Sequence, residues 1–170
     1  NLKKLNFLFP KHNVFFNPFL LKFFDDNPSK EHKRAIEYYN KKHKYKEAKL
    51  AYIKKEKIHI GYFSADFKAH PVMHLIYRIL KSHDTLSFKI YIYSLNNKED
   101  KYTNNLKDVP FYFRSINDRS DLEIVKLARN DMLDVAIDLM GYTKNNRMNI
   151  FSHRLAPIQI NYLGYPGTSG

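Results

Sequence analysis

Apolar and polar residues alternate through Ile58, Ile60 and Tyr62, then give way to the polar stretch Ser64-Ala65-Asp66-Phe67-Lys68-Ala69-His70 and to Pro71. Alternation predicts a strand. Proline predicts a helix start, because its missing N–H costs nothing at the first helical position. The helix after Pro71 is expected to bury Leu75, Ile76, Ile79 and Leu80. Period-two alternation returns in Phe88–Leu95, with Phe88, Ile90 and Ile92 on one face and Lys89, Tyr91 and Tyr93 on the other. Pro110–Ile116, Leu133–Met140 and Pro157–Leu163 read as three more strands, the first of them near an edge. Ser120-x-x-Glu123 is a capping box that opens a helix running to Met132, with Ile124, Leu127 and Ala128 inward. Asn96–Asp108 leaves room for a short helix only, and Arg147–Arg154 reads as helical. Strand–helix units in succession imply an α/β fold, a parallel sheet flanked by helices and joined by right-handed crossovers.

Upstream the pattern changes. Asn27 is suited to cap a helix with Pro28 at its first position, and Ser29–Ile53 reads as that helix. Ile36, Tyr39, His43, Leu50 and Ala51 would form its thin inner stripe, with Lys54–Lys57 as a charged joint into the first strand. Residues 1–26 are rich in phenylalanine but aperiodic, so they must bury themselves against something. The chain thus divides into a helical, basic segment over 1–57 and an α/β domain over 58–170. Charge sharpens the division: of a net +12, residues 1–57 hold +9, with 15 Lys and Arg against 6 acids.

Composition narrows the chemistry. There is no cysteine, which removes disulfides and thiolate metal sites and suits a reducing, cytoplasmic setting. The apolar run Leu5–Phe24 is broken by Pro10, Lys11, His12, Pro18 and Lys22, too often for a membrane span of ~20 residues. No base-reading motif accompanies the basic charge, so solvated helix is the plainer explanation than nucleic-acid binding. Neither a Gly-x-Gly-x-x-Gly turn nor a phosphate loop ending in Gly-Lys-Ser/Thr is present.

The candidate chemistry gathers where the strands end, since open α/β sheets bind ligands beyond the carboxyl ends of their strands. Asp66 and His70 follow the first strand and are suited to acid–base work, with helix capping an equal alternative for Asp66. With His74 they make an Asp-x3-His-x3-His series that resembles a metal set without a further ligand. Asp138 and Gly141-Tyr142-Thr143 follow the fourth strand, and Gly164-Tyr165-Pro166-Gly167-Thr168-Ser169-Gly170 follows the fifth. Glycines let backbone approach a ligand closely, and Thr and Ser hydroxyls suit a polyol. Three of the five glycines lie in that last loop, an unusual place to stop, which reads as a piece of something longer.

The strings IHIGYFSADFKAHPVMHL and DVAIDLMGYTKNNRMNIFSHRLAPIQINYLGYPGTSG resemble the N-terminal lobe of the catalytic region of O-linked N-acetylglucosamine transferases, in their bacterial form. The resemblance covers Ile58–Gly170; residues 1–57 resemble only the linker between that family's tetratricopeptide repeats and its catalytic lobe. It implies the Rossmann-like N-terminal lobe of a two-lobe GT-B glycosyltransferase, inverting and using no metal and no cofactor. The donor would be UDP-N-acetylglucosamine (UDP-GlcNAc) and the acceptors Ser or Thr hydroxyls of cytoplasmic proteins. His70 matches the family's histidine beside the reacting sugar, and Asp66 an acidic residue considered for the base. Leu163, Gly164 and Pro166 match residues around the sugar pocket, with Pro71 beside it. Tyr142 and Thr143 are the substrate-side residues of the loop after the fourth strand. Val72 stands where the animal form has threonine. The family's second lobe, which holds the uridine diphosphate, is not in these residues, so the fragment alone is expected to be inactive.

Two other readings use the same residues: a basic, non-enzymatic interaction module built on Lys30–Lys57, and a metal-dependent hydrolase built on Asp66, His70 and His74.

Overall fold

The computed structural model describes residues 16–23, 26–43 and 49–170. Its centre is a five-stranded, wholly parallel sheet: β1 (Ile58–Ser64), β2 (Phe88–Ser94), β3 (Tyr112–Ser115), β4 (Val135–Asp138) and β5 (Ile158–Asn161), in the order β3-β2-β1-β4-β5. Helices α1 (Pro18–Leu21) and α2 (Pro28–Lys42) precede it. Between the strands lie α3 (Pro71–Lys81), α4 (Lys101–Lys107), α5 (Asp121–Asn130) and α6 (Met148–Ser152). All five expected strands are present, and β3 is indeed an edge.

Alternation along β1 and β2 sorts side chains into two cores, as a period of two requires. Ile60, Tyr62, Ile90 and Ile92 face α3 and α4, meeting Met73, Ile76, Leu80 and Leu106. Phe63, Tyr91, Tyr93 and Ala136 face α5 and α6, meeting Ile124, Val125, Ala128 and Ile150. Phe63 and Tyr93 stack across the β1–β2 pair with centroids 4.2 Å apart. The capping box at Ser120 and Glu123 forms as expected, and α4 adds a second one from Asp100 and Thr103.

Two expectations need correction. The apolar stripe of α3 is rotated: Val72, Met73, Ile76 and Leu80 are buried, whereas Leu75 is 61% and Ile79 41% exposed. The helix has more apolar positions than one sheet face accommodates, and the sheet beneath it sets which of them face inward. Helix α2 also ends earlier than expected, at Lys42, with His43 extended at φ −118°. Of the expected extension to Ile53, residues 44–48 lie outside the described residues and residues 49–53 are not helical. The joint is drawn out along the amino ends of the strands instead. Lys55 Nζ reaches Asp134 at 2.8 Å and Lys57 Nζ the Thr85 carbonyl at 2.7 Å. The inner stripe of α2 is correspondingly centred on buried Ala35, not on Leu50 and Ala51.

Much of the aromatic-rich 1–26 segment lies outside the described residues. Where it is described, Asn17 Nδ2 donates to the Tyr142 carbonyl at 2.9 Å, and Phe19 lies against Tyr165. Ala35, Tyr142, Met148 and Tyr165 form a third small core, with Phe19 and Tyr38 against it. The N-terminal helices thereby brace the loops that follow β4 and β5. No described helix is long and apolar enough to cross a membrane.

Candidate active site

The chain winds outward from β1 through β2 to β3, then returns to the other side of β1 for β4 and β5. The reversal leaves a crevice outside the carboxyl ends of β1 and β4, the place where open α/β sheets bind ligands.

From β1 comes the loop that carries Asp66 and His70. Ser64 Oγ accepts from the Asp66 N–H at 2.9 Å and tightens the turn. The N-terminus of α4 holds the loop from outside: Asp100 Oδ2 accepts from the Ala69 N–H at 2.6 Å, and Thr103 Oγ1 donates to the Phe67 carbonyl at 2.6 Å. The Ala69 N–H in turn keeps the Asp100 carboxyl below its usual range. His70, not Asp66, is the cap of α3; its Nδ1 accepts from the Val72 N–H at 3.3 Å. The same Nδ1 stands 3.6 Å from Asp66 Oδ2, with the imidazole 39% and the carboxylate 16% exposed. His74 lies one turn on, exposed, edge-on to Tyr102 at 4.9 Å. Among the described residues no three His, Asp or Glu side chains are placed to hold a metal ion, so the hydrolase set is not assembled.

After β4, the buried Asp138 carboxylate accepts from the N–H groups of Met140 at 2.9 Å and Gly141 at 2.8 Å. Burial outweighs these bonds and pushes its pKa up to about 6. Met140 Sδ lies 3.3 Å from the Ala65 N–H and 3.4 Å from Ser64 Oγ, so the β4 loop rests on the β1 loop. Thr143 Oγ1 donates to the Met140 carbonyl at 2.8 Å. Tyr142 is only 3% exposed; its ring packs between Tyr38 and Tyr165, and its hydroxyl donates to the Ser169 carbonyl. Any contact it makes with a substrate is therefore through its backbone or through the loop it anchors.

The β5 loop closes onto the β4 loop by main chain. A Cβ at Gly164 would stand 1.6 Å from the Leu139 carbonyl oxygen, and one at Gly141 (φ +54°) would stand 2.3 Å from Tyr165 Cβ. Leu163 has a left-handed backbone at φ +68°, unusual for a bulky side chain and a form of stored strain that gathers at functional sites. Leu163 and Pro166 are exposed on this loop, as is Pro71 at the head of α3. Consecutive residues after β4 thus touch both neighbouring loops: Leu139 meets Gly164 of the β5 loop, and Met140 meets Ala65 at the start of the β1 loop.

Chemically, the corner offers a histidine with two alternative proton arrangements. While Nδ1 accepts from Val72, Nε2 carries the proton and is a donor. A small rotation toward Asp66 would let Nδ1–H donate to the carboxylate and free Nε2 to accept a proton. Three residues that organise this corner, Asp100, Thr103 and Met140, were not singled out in the sequence. Asp100 and Thr103 could have been found as the start of a capping box, Met140 by no local signal.

Residues 4–170 match the model of Glycosyl transferase family 41. The chain belongs to that family. Over 116 residues it is 33% identical to the probable UDP-N-acetylglucosamine-peptide N-acetylglucosaminyltransferase SEC of Arabidopsis thaliana, an alignment covering 68% of this chain and 12% of that protein. It is likewise 33% identical over 117 residues to the UDP-N-acetylglucosamine-peptide N-acetylglucosaminyltransferase of Caenorhabditis elegans, covering 68% of this chain and 10% of that one. An O-GlcNAc transferase mutant from Thermobaculum terrenum superimposes with a TM-score of 0.74 at 25% identity, over 81% of this chain and 27% of the other. The α/β sheet expected from the sequence is thus the family 41 catalytic fold. The chain spans about an eighth of the length of the curated relatives it matches.

Proposed function

We propose that this chain supplies the acceptor-side lobe of an inverting transferase that moves N-acetylglucosamine from UDP-GlcNAc to Ser or Thr hydroxyls of proteins. The observation that carries the reading is the approach of Asp66 to His70 at the sheet's switch point, beyond the carboxyl end of β1. The relatives' names, which specify that donor and a peptide acceptor, support it.

In the reaction, the acceptor oxygen forms a bond to the anomeric carbon as the bond from that carbon to the diphosphate breaks. The hydroxyl proton passes to His70 Nε2, or to a neighbouring base that His70 orients, while Asp66 steadies the imidazole. Pro71, Leu163, Gly164 and Pro166 shape the sugar site, and the Tyr142–Thr143 loop borders it. Residues 58–170 form the lobe and residues 1–57 the segment that joins it to tetratricopeptide repeats, with α1 and α2 bracing the loops after β4 and β5. A second lobe completes the nucleotide site, since a leaving diphosphate needs positive stabilisation. The setting is cytoplasmic. The comparisons lend nothing to a basic interaction module or a metal hydrolase.

The test is sugar transfer by the intact enzyme. His70→Ala is expected to lower kcat by about 10² to 10⁴, the range for loss of a positioned acid–base group. An unchanged rate would remove His70 from the mechanism.

A further inference from the structure

A second cavity opens at the same end of the sheet, on the opposite flank from Gly164. It has a volume of about 250 Å³ and is walled by polar side chains from four successive loops: Lys68 after β1, Asn96 and Asn97 after β2, Asn117 after β3, and Asn145 and Arg147 after β4. No carboxylate lines it. Arg147 is already engaged, with Nε 2.7 Å from Asp121 Oδ1 and Nη1 donating to the Arg119 carbonyl at 2.9 Å. Lys68 is different. It is half-buried, and among the described residues its ammonium has neither ion pair nor hydrogen bond. A cation held beside four amides, without a counter-charge, is suited to an anionic group flanked by peptide N–H and C=O groups. The volume falls below the roughly 300–1,000 Å³ of a whole small-molecule site and suits a single side chain.

Position decides what that side chain belongs to. In the order β3-β2-β1-β4-β5, the cavity lies toward β2 and β3, whereas the Gly164 loop follows β5. Asp66 and His70 come from the central strand, and Lys68 lies on their loop. We infer that this cavity is a subsite for an acidic side chain of the acceptor polypeptide, held by Lys68 next to the reacting hydroxyl. The inference rests on the transfer reaction proposed above and adds a substrate preference to it.

The experiment compares two acceptor peptides that differ only by Glu or Gln near the reactive serine, using the intact enzyme. At low salt the Glu peptide is expected to show a KM about threefold to fivefold lower, as a partly exposed ion pair allows, with the gap closing at high salt. Lys68→Gln should erase the gap, and Lys68→Glu should reverse it in favour of a Lys-bearing peptide. Equal KM values in the wild type, or a gap that survives both substitutions, would overturn the subsite. So would a change confined to the KM for UDP-GlcNAc, which would hand the cavity to the donor diphosphate. Peptide binding without donor, followed by fluorescence polarisation, separates the two levels of the reading. Lys68-dependent binding of the Glu peptide to an enzyme that transfers no sugar would keep the site and sink the reaction; neither binding nor transfer would remove both.

Discussion

Asp66 Oδ2 stands 3.6 Å from His70 Nδ1, beyond a good hydrogen bond, while the Val72 N–H stands nearer that nitrogen at 3.3 Å. One ring nitrogen thus has two competing partners that demand opposite protonation of it. The helix cap wins in this state, and the carboxylate is positioned to win once the ring turns.

If that competition matters to turnover, Asp66→Asn lowers kcat less than His70→Ala does, because Asn can accept from the turned ring but brings no charge to the imidazolium formed in the reaction. Steady-state kinetics of both variants in the intact enzyme check the order. A larger loss in Asp66→Asn would make the carboxylate itself the base.

Gly164→Ala places a methyl group against the Leu139 carbonyl, where the neighbour is rigid backbone. The two loops must separate, at a cost of about 1–3 kcal/mol by analogy with overpacked cores. Urea unfolding measures that loss, and transfer activity should fall with it.

Asp138 provides a pH signature. Its folded-state pKa of about 6 lies above the ordinary 3.8, so the folded chain keeps this proton longer than the unfolded chain. Stability then falls as pH rises from about 4 to about 6 and is level above that, by roughly 3 kcal/mol in all for a shift of this size. Asp138→Asn should flatten that part of the curve, whatever it does to the absolute value. Unfolding curves across this interval would show it, and an unaltered slope would assign the proton elsewhere.

The brace from α2 can be tested at Ala35, which is 1% exposed against the cluster of Tyr142 and Tyr165. Ala35→Leu overfills the contact and should cost about 1–3 kcal/mol. With no tryptophan and 13 tyrosines in the chain, near-ultraviolet circular dichroism of the tyrosine rings reports the disturbance.

The 170-residue polypeptide by itself is expected to bind UDP weakly and transfer no sugar, because the resemblance assigns the nucleotide's grip to another lobe. Calorimetric titration with UDP tests the first part. Robust turnover by this polypeptide would refute the second.

The strands and their faces were legible because period two is written directly into β1 and β2, where Ile90 and Ile92 part from Tyr91 and Tyr93. The cap at Ser120 was legible for the same reason: its partner Glu123 is three residues away. What was hidden depended on distant residues. Whether Leu75 or Met73 faces inward is decided by the sheet beneath α3, and Lys55 finds Asp134 far along the chain. The contact of Met140 with Ala65 likewise joins two loops that share no sequence pattern.

Because Gly164 meets Leu139 through main chain, the outline of this corner is drawn by peptide units as long as position 164 keeps its glycine. Exposed neighbours such as Leu163 and Pro166 can therefore be re-lettered to change which molecules are welcomed, while the seam between the two loops stays the same. Form and taste are separately adjustable here, a favourable starting point for redesigning selectivity.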